Sequence, residues 1–148
     1  MTAIQIAAAY AAVANGGVWQ EPRLVARVGD KVIAPTGQRR VISAKVAAQV
    51  LSMMNDVVME GTGTAFQIPG YTAAGKTGTA QVPDYNHGGY AACQYIASFI
   101  CLVPAAHPKV LVIVVVDEPT SAIFGGVVAA PAAQKITQFV LTYLKIAP

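Results

Sequence analysis

Two strings in this chain have residue types and spacings that could do chemistry. Gly70-Tyr71-Thr72-Ala73-Ala74-Gly75-Lys76-Thr77 satisfies G-x-x-x-x-G-K-[ST], the loop whose backbone N–H groups and lysine cradle nucleotide phosphates. Downstream, the apolar run beginning at Leu111 ends in Asp117-Glu118, as a magnesium-side partner would. A phosphate loop also needs a hydrophobic strand before its first glycine and a helix starting at its lysine, so that the anion meets a helix N-terminus. Gly61, Gly63 and Pro69 spoil the first requirement, and Gly78, Pro83, Gly88 and Gly89 spoil the second. NTPase chemistry is therefore the weaker reading of this string.

The same residues make better sense as an extended strand from Lys76 to Val82, closed by Pro83-Asp84. Alternation then puts Thr77, Thr79 and Gln81 on one face, and Gly78 and Ala80 on the other. A row of hydroxyls next to a small residue lets another backbone approach closely. The four serines, Ser43, Ser52, Ser98 and Ser121, are followed at the third position by Val46, Asn55, Cys101 and Phe124. His87, in a polar loop, and His107, between prolines, read as surface histidines.

The elements that must position the strand can be read in order. Thr2 caps a helix over Ala3 to Ala14, closed by Asn15-Gly16-Gly17, and its nearly all-round apolar surface calls for burial. Leu24 to Val28 and Lys31 to Ala34 flank a Gly29-Asp30 turn as a small hairpin. Ser43 caps a second helix with Val46, Val50, Leu51, Met54, Val57 and Val58 on one stripe, ended by Gly61. After the Lys76 strand a polar loop runs to about Gln94. Tyr95 to Val103 and Lys109 to Asp117 follow as an antiparallel pair, because Pro104 to Pro108 is too short for any other connection. Pro131 then opens a helix to Leu144 with Ile136, Phe139, Val140, Tyr143 and Leu144 on its inner face. The fold class is α+β, an antiparallel sheet flanked by helices, in one domain with no repeat or linker.

The 148 residues are long enough for one core, and 55% are hydrophobic against 11% charged. Disorder is excluded, and so low a charge content implies that much of the surface is covered by something. The ten lysines and arginines are scattered and the net charge is +3, which leaves no basic stripe for nucleic acid. The longest apolar run is far short of a membrane span. No signal peptide opens the chain, so it is cytosolic or its targeting segment lies on another piece. Cys93 and Cys101, on one extended strand, would lie ~26 Å apart, well beyond the ~7 Å limit for a disulfide without an intervening turn.

Lys76-Thr77-Gly78-Thr79, set between Gly75 and Ala80-Gln81, resembles the K-T-G strand of penicillin-binding protein transpeptidase domains. The resemblance runs along nearly the whole chain. Thr2, Gln5, Ala9, Tyr10, Ala14, Asn15, Gly16 and Gly17 match that family's opening segment, Glu60-Gly61-Thr62-Gly63 its E-G-T-G stretch, and Asp117-Glu118-Pro119, Gly125-Gly126 and Ala129-Ala130-Pro131 its closing pattern. The tail is more similar to the class B, cell-division type than to the elongation type. Cys101 stands where the family usually has Gly, and Ala133 where a Phe often follows Ala-Pro.

The resemblance implies the penicillin-binding protein and serine β-lactamase-like fold, and acyl transfer onto a serine. By it, Lys76 supports the serine of an S-x-N loop and the substrate carboxylate. Thr77 and Thr79 hold the terminal carboxylate of a D-alanyl-D-alanine peptide, with Gly78 and Gln81 also on the substrate strand, and the Thr79 N–H is an oxyanion-hole donor. The S-x-x-K and S-x-N motifs precede this region in the family, so residues 1–148 resemble the carboxy-terminal part of such a domain. The implied partners are an upstream segment of the same polypeptide carrying the Ser nucleophile, a peptidoglycan stem peptide, β-lactams and divisome proteins, with no cofactor or metal. The implied location is the extracytoplasmic face of the bacterial membrane, with the anchor on another segment. Alternatives are an inactive scaffold or binding module, and a D,D-carboxypeptidase or β-lactamase of the same fold.

Overall fold

A computed structural model describes residues 1–34 and 36–148. The chain divides into two compact units, Met1–Leu51 and Ser52–Pro148. Among the described residues no helix is long and apolar enough to cross a membrane.

In the first unit α1 spans Ala3–Ala14. Thr2 accepts the Gln5 N–H while the Gln5 side chain accepts the Thr2 N–H, so the matched Thr2 and Gln5 form a capping box. Its end is set by Gly16 and Gly17 at φ +62° and +88°. A Cβ at Gly17 would lie 2.1 Å from the Ile42 carbonyl oxygen, so the chain passes there only as glycine. The expected burial of α1 is corrected: only Ala8 and Ala12 are buried and Ile4 is exposed. β1 (Val18–Gln20) pairs antiparallel with β4 (Gln38–Arg40), a ladder the sequence reading missed. Across that ladder the Arg39 guanidinium lies 5.5 Å from the Trp19 ring. β2 (Arg27–Val28) and β3 (Lys31–Val32) form the expected hairpin about Gly29-Asp30.

Helix α2 (Ala44–Met59) carries the division between the units, and Ser43 Oγ caps it by accepting the Val46 N–H. In the second unit Gln67 donates to the last α2 carbonyls, Val58 and Met59, at 3.0 Å each, leaving fewer orphans at the helix end.

The second unit is a three-stranded antiparallel meander, β5 (Ala74–Pro83), β6 (Tyr90–Val103) and β7 (Val110–Asp117), with β5 and β7 at its edges. The expected loop to Gln94 shrinks to residues 84–89, because Tyr90 already pairs with Pro83 beyond a register shift after Gln81. In that turn Asp84 accepts the backbone N–H groups of Asn86 and His87 and contacts the His87 ring, which holds its carboxyl below the usual carboxylate range. α3 (Gly125–Val128) and α4 (Ala130–Tyr143) close the unit. The core gathers Val58, Phe66, Phe99, Cys101, Val103 and Leu141, with the Phe66 and Phe99 rings 5.2 Å apart.

The inner face assigned to the last helix is corrected as well. α4 buries Ala130, Ala133, Thr137 and Leu141, whereas Ile136, Phe139, Tyr143 and Leu144 are exposed and Val140 is only half-buried. Small residues let the helix axis settle close to the sheet, where the Cys101 thiol meets Thr137 Oγ1 at 3.5 Å. Both departures from the family pattern, Cys101 and Ala133, lie fully buried in this one cluster.

Candidate active site

The site begins with three glycines that set the edge strand. A Cβ at Gly75 would sit 2.7 Å from Phe99 Cζ and 2.9 Å from Val58 Cγ2, so the strand's buried end lies directly on the core. A Cβ at Gly78 would come within 2.4 Å of Ser98 Oγ, its partner across the ladder. At Gly125 the added carbon would lie 2.1 Å from the Ser98 carbonyl oxygen and 2.7 Å from that of Gly78, so α3 rests on β5 and β6 with no space for a side chain.

β5 is an edge strand, and an edge leaves one row of N–H and C=O groups without ladder partners. Lys76, Thr79 and Gln81 are exposed, and Thr77 and Gly78 are half-buried. Strand alternation sets Thr77, Thr79 and Gln81 on one face and Lys76 and Gly78 on the other. Lys76 Nζ donates to the Thr77 carbonyl at 2.7 Å. Thr77 and Thr79 line a recess of about 410 Å³ together with Gly61, Thr62, Phe124 and Gly126. In it the Thr62 and Thr77 hydroxyls share a 2.9 Å hydrogen bond, and the Gly125 N–H donates to Thr79 Oγ1 at 3.4 Å. Gln81 stands apart, with its amide donating to the Ala91 carbonyl at 3.3 Å.

The lysine and threonine of the G-x-x-x-x-G-K-T string sit inside β5, so no helix N-terminus follows them and the string is not a phosphate loop. Cys93 and Cys101 are both free, the first exposed and the second buried, on one strand. Among the described residues no cluster of three or more His, Cys, Asp or Glu could hold a metal. Sequence reasoning matched Thr62 to the E-G-T-G stretch without giving it a task; its hydroxyl partner lies fifteen residues away, on a different element.

This geometry has close counterparts. Residues 1–138 match the family model for the penicillin binding protein transpeptidase domain. The chain is 37% identical to a probable peptidoglycan D,D-transpeptidase PenA of Neisseria meningitidis over 150 residues, covering all of this chain and 25% of that protein. It is also 37% identical over 156 residues to stage V sporulation protein D of Bacillus subtilis, again over all of this chain and 24% of that protein. Among solved structures it superposes on penicillin binding protein 3 from Mycobacterium tuberculosis complexed with ampicillin, with a TM-score of 0.87 and 31% identity over 99% of this chain and 36% of that one. The chain thus spans about a quarter of the length of the curated relatives it matches.

Proposed function

This chain belongs to the penicillin-binding protein transpeptidase domain family, and from that premise we propose that it is the carboxy-terminal, substrate-aligning part of a peptidoglycan D,D-transpeptidase. The observation that carries the reading is the Lys76-Thr77-Gly78-Thr79 run on an open sheet edge, with Thr77 and Thr79 both lining one recess. An extended stem peptide adds alongside β5, and its terminal carboxylate is held by the Thr77 and Thr79 hydroxyls with the Lys76 charge close by. Gly78 lets the peptide backbone approach, and Gln81 supports the far end of the strand.

The reaction is acyl transfer. A serine hydroxyl supplied by an upstream segment of the same polypeptide attacks the penultimate D-alanine carbonyl, and its proton passes to a neighbouring base. The negative charge that develops on the carbonyl oxygen is met by the Thr79 N–H. The C–N bond to the last D-alanine breaks, that amine leaves with a proton, and an amine of a second stem peptide takes the acyl group and frees the serine. β-Lactams enter by the same route, and the similar protein solved with ampicillin supports this. The closing pattern from Asp117-Glu118-Pro119 to Pro131 favours the cell-division type, at the extracytoplasmic membrane face among divisome proteins, with the anchor upstream.

Two variants in the enzyme that unites this chain with the upstream segment test the assignment. Thr79→Ala keeps the amide and removes one hydrogen bond to a charged group, which costs about 1.5 to 3 kcal/mol in β-lactam acylation. Thr79→Pro deletes the N–H as well, and losing an oxyanion donor costs about 2.7 to 4 kcal/mol. Acylation therefore slows further in the proline variant, measured at matched circular dichroism. Equal rates for the two would remove the Thr79 amide from the oxyanion hole.

A further inference from the structure

Thr62 is exposed and meets the K-T-G strand through its hydroxyl. Just after α2 the chain folds back on itself: the Gly63 N–H donates to the Val57 carbonyl at 2.9 Å, and a Cβ at Gly61 would lie 2.8 Å from Val57 Cα. On the other side, a Cβ at Gly126 would come within 2.3 Å of the Thr62 carbonyl oxygen. Glycines therefore allow backbone to close on Thr62 from two directions, and its hydroxyl meets Thr77 Oγ1 at 2.9 Å.

A hydroxyl has one proton and two lone pairs. If Thr77 gave its proton to Thr62, it would turn lone pairs toward an incoming carboxylate and repel it. If Thr62 donates, the Thr77 proton is free for the carboxylate, and the chained hydrogen bonds polarise one another. Resting on the function proposed above, we infer that Thr62 is a positioning residue: it donates to Thr77 Oγ1 and aims the Thr77 hydroxyl proton at the substrate carboxylate.

The test is a double-mutant cycle in the united enzyme, reading the second-order rate of acylation by benzylpenicillin. Thr62→Val removes the hydroxyl at nearly constant shape and lowers the rate roughly 3- to 10-fold, the worth of one net hydrogen bond. Thr62→Ser keeps a hydroxyl and stays within about twofold of wild type, which separates a positioning role from simple packing. In a Thr77→Val background, Thr62→Val causes no further loss, because the group it acts through is gone. If Thr62→Val does not fold, Thr62→Ala takes its place in the same cycle. A wild-type rate for the hydroxyl-deleting variant overturns the inference, as does an undiminished loss in the Thr77→Val background, which would mean that Thr62 touches the ligand itself. Failure of the wild-type enzyme to be acylated at all would instead bring down the proposed function.

Discussion

The two units are built on different principles. Ser52–Pro148 encloses Phe66, Phe99, Val103 and Leu141 almost completely in one cluster beneath its sheet and α4. In Met1–Leu51 the buried residues are small: Ala8, Ala12, Gly17 and Ala47. Leu24 there is fully exposed, and Ile4, Val25, Val28 and Val32 are more than half exposed. The glycine-locked strand and its recess lie wholly in the dense unit. The strand itself is fixed there by glycine contacts with neighbouring backbone and core, while the Thr62 and Thr79 side chains remain exposed. The exposed apolar residues of the other unit are consistent with the proposal that this chain joins an upstream segment.

Substitutions should split along that division. Leu141→Ala opens a cavity in the core and is expected to destabilise the chain by about 2 to 5 kcal/mol. Gly125→Ala drives a methyl group into two backbone carbonyls and is expected to cost about 1 to 3 kcal/mol. Leu24→Ala, with nothing packed on it, should stay within about 0.5 kcal/mol. Denaturant midpoints of the three variants measure this, and a loss at Leu24 matching that at Leu141 would break the comparison.

The thiols sharpen it on a finer scale. Burial pushes the Cys101 thiol up to about 11, with the Thr137 and Val112 hydrogen bonds opposing the shift. An unfolded thiol ionises near its ordinary value, so above that pH the unfolded state loses a proton that the folded state keeps. Stability should accordingly fall as pH rises toward 11, and Cys101→Ala should flatten that slope. At neutral pH an alkylating reagent should modify exposed Cys93 quickly and Cys101 only in denaturant. Equal labelling rates in the native protein would show that the core opens readily.

What could be read from the sequence followed the strength of local signals. α1, α2 and β7 were legible because caps, glycines and apolar runs bound them. β4 was not, since Gln38-Arg39-Arg40 is wholly polar and exposed, and only pairing with Val18 to Gln20 makes it a strand. The start of β6 was hidden for a similar reason: Ala91 to Gln94 has no alternating pattern. α4 presented a regular apolar stripe at Ile136, Phe139, Tyr143 and Leu144, and periodicity alone could not tell that the small-residue face would meet the sheet instead. In the site, Lys76 to Thr79 was evident as a motif. Thr62 became a candidate only through a hydroxyl contact between distant segments, and Gln81 is tied to the Ala91 carbonyl rather than to the recess.

The central claim is that this chain aligns the substrate and an upstream segment supplies the nucleophile. The most direct measurement is mass spectrometry of peptides after the chain is incubated with a penicillin, alone and united with that segment. The account predicts no adduct on the chain alone and, in the united enzyme, one acyl group on a serine outside residues 1–148. A penicilloyl adduct on Ser43, Ser52, Ser98 or Ser121 would contradict it.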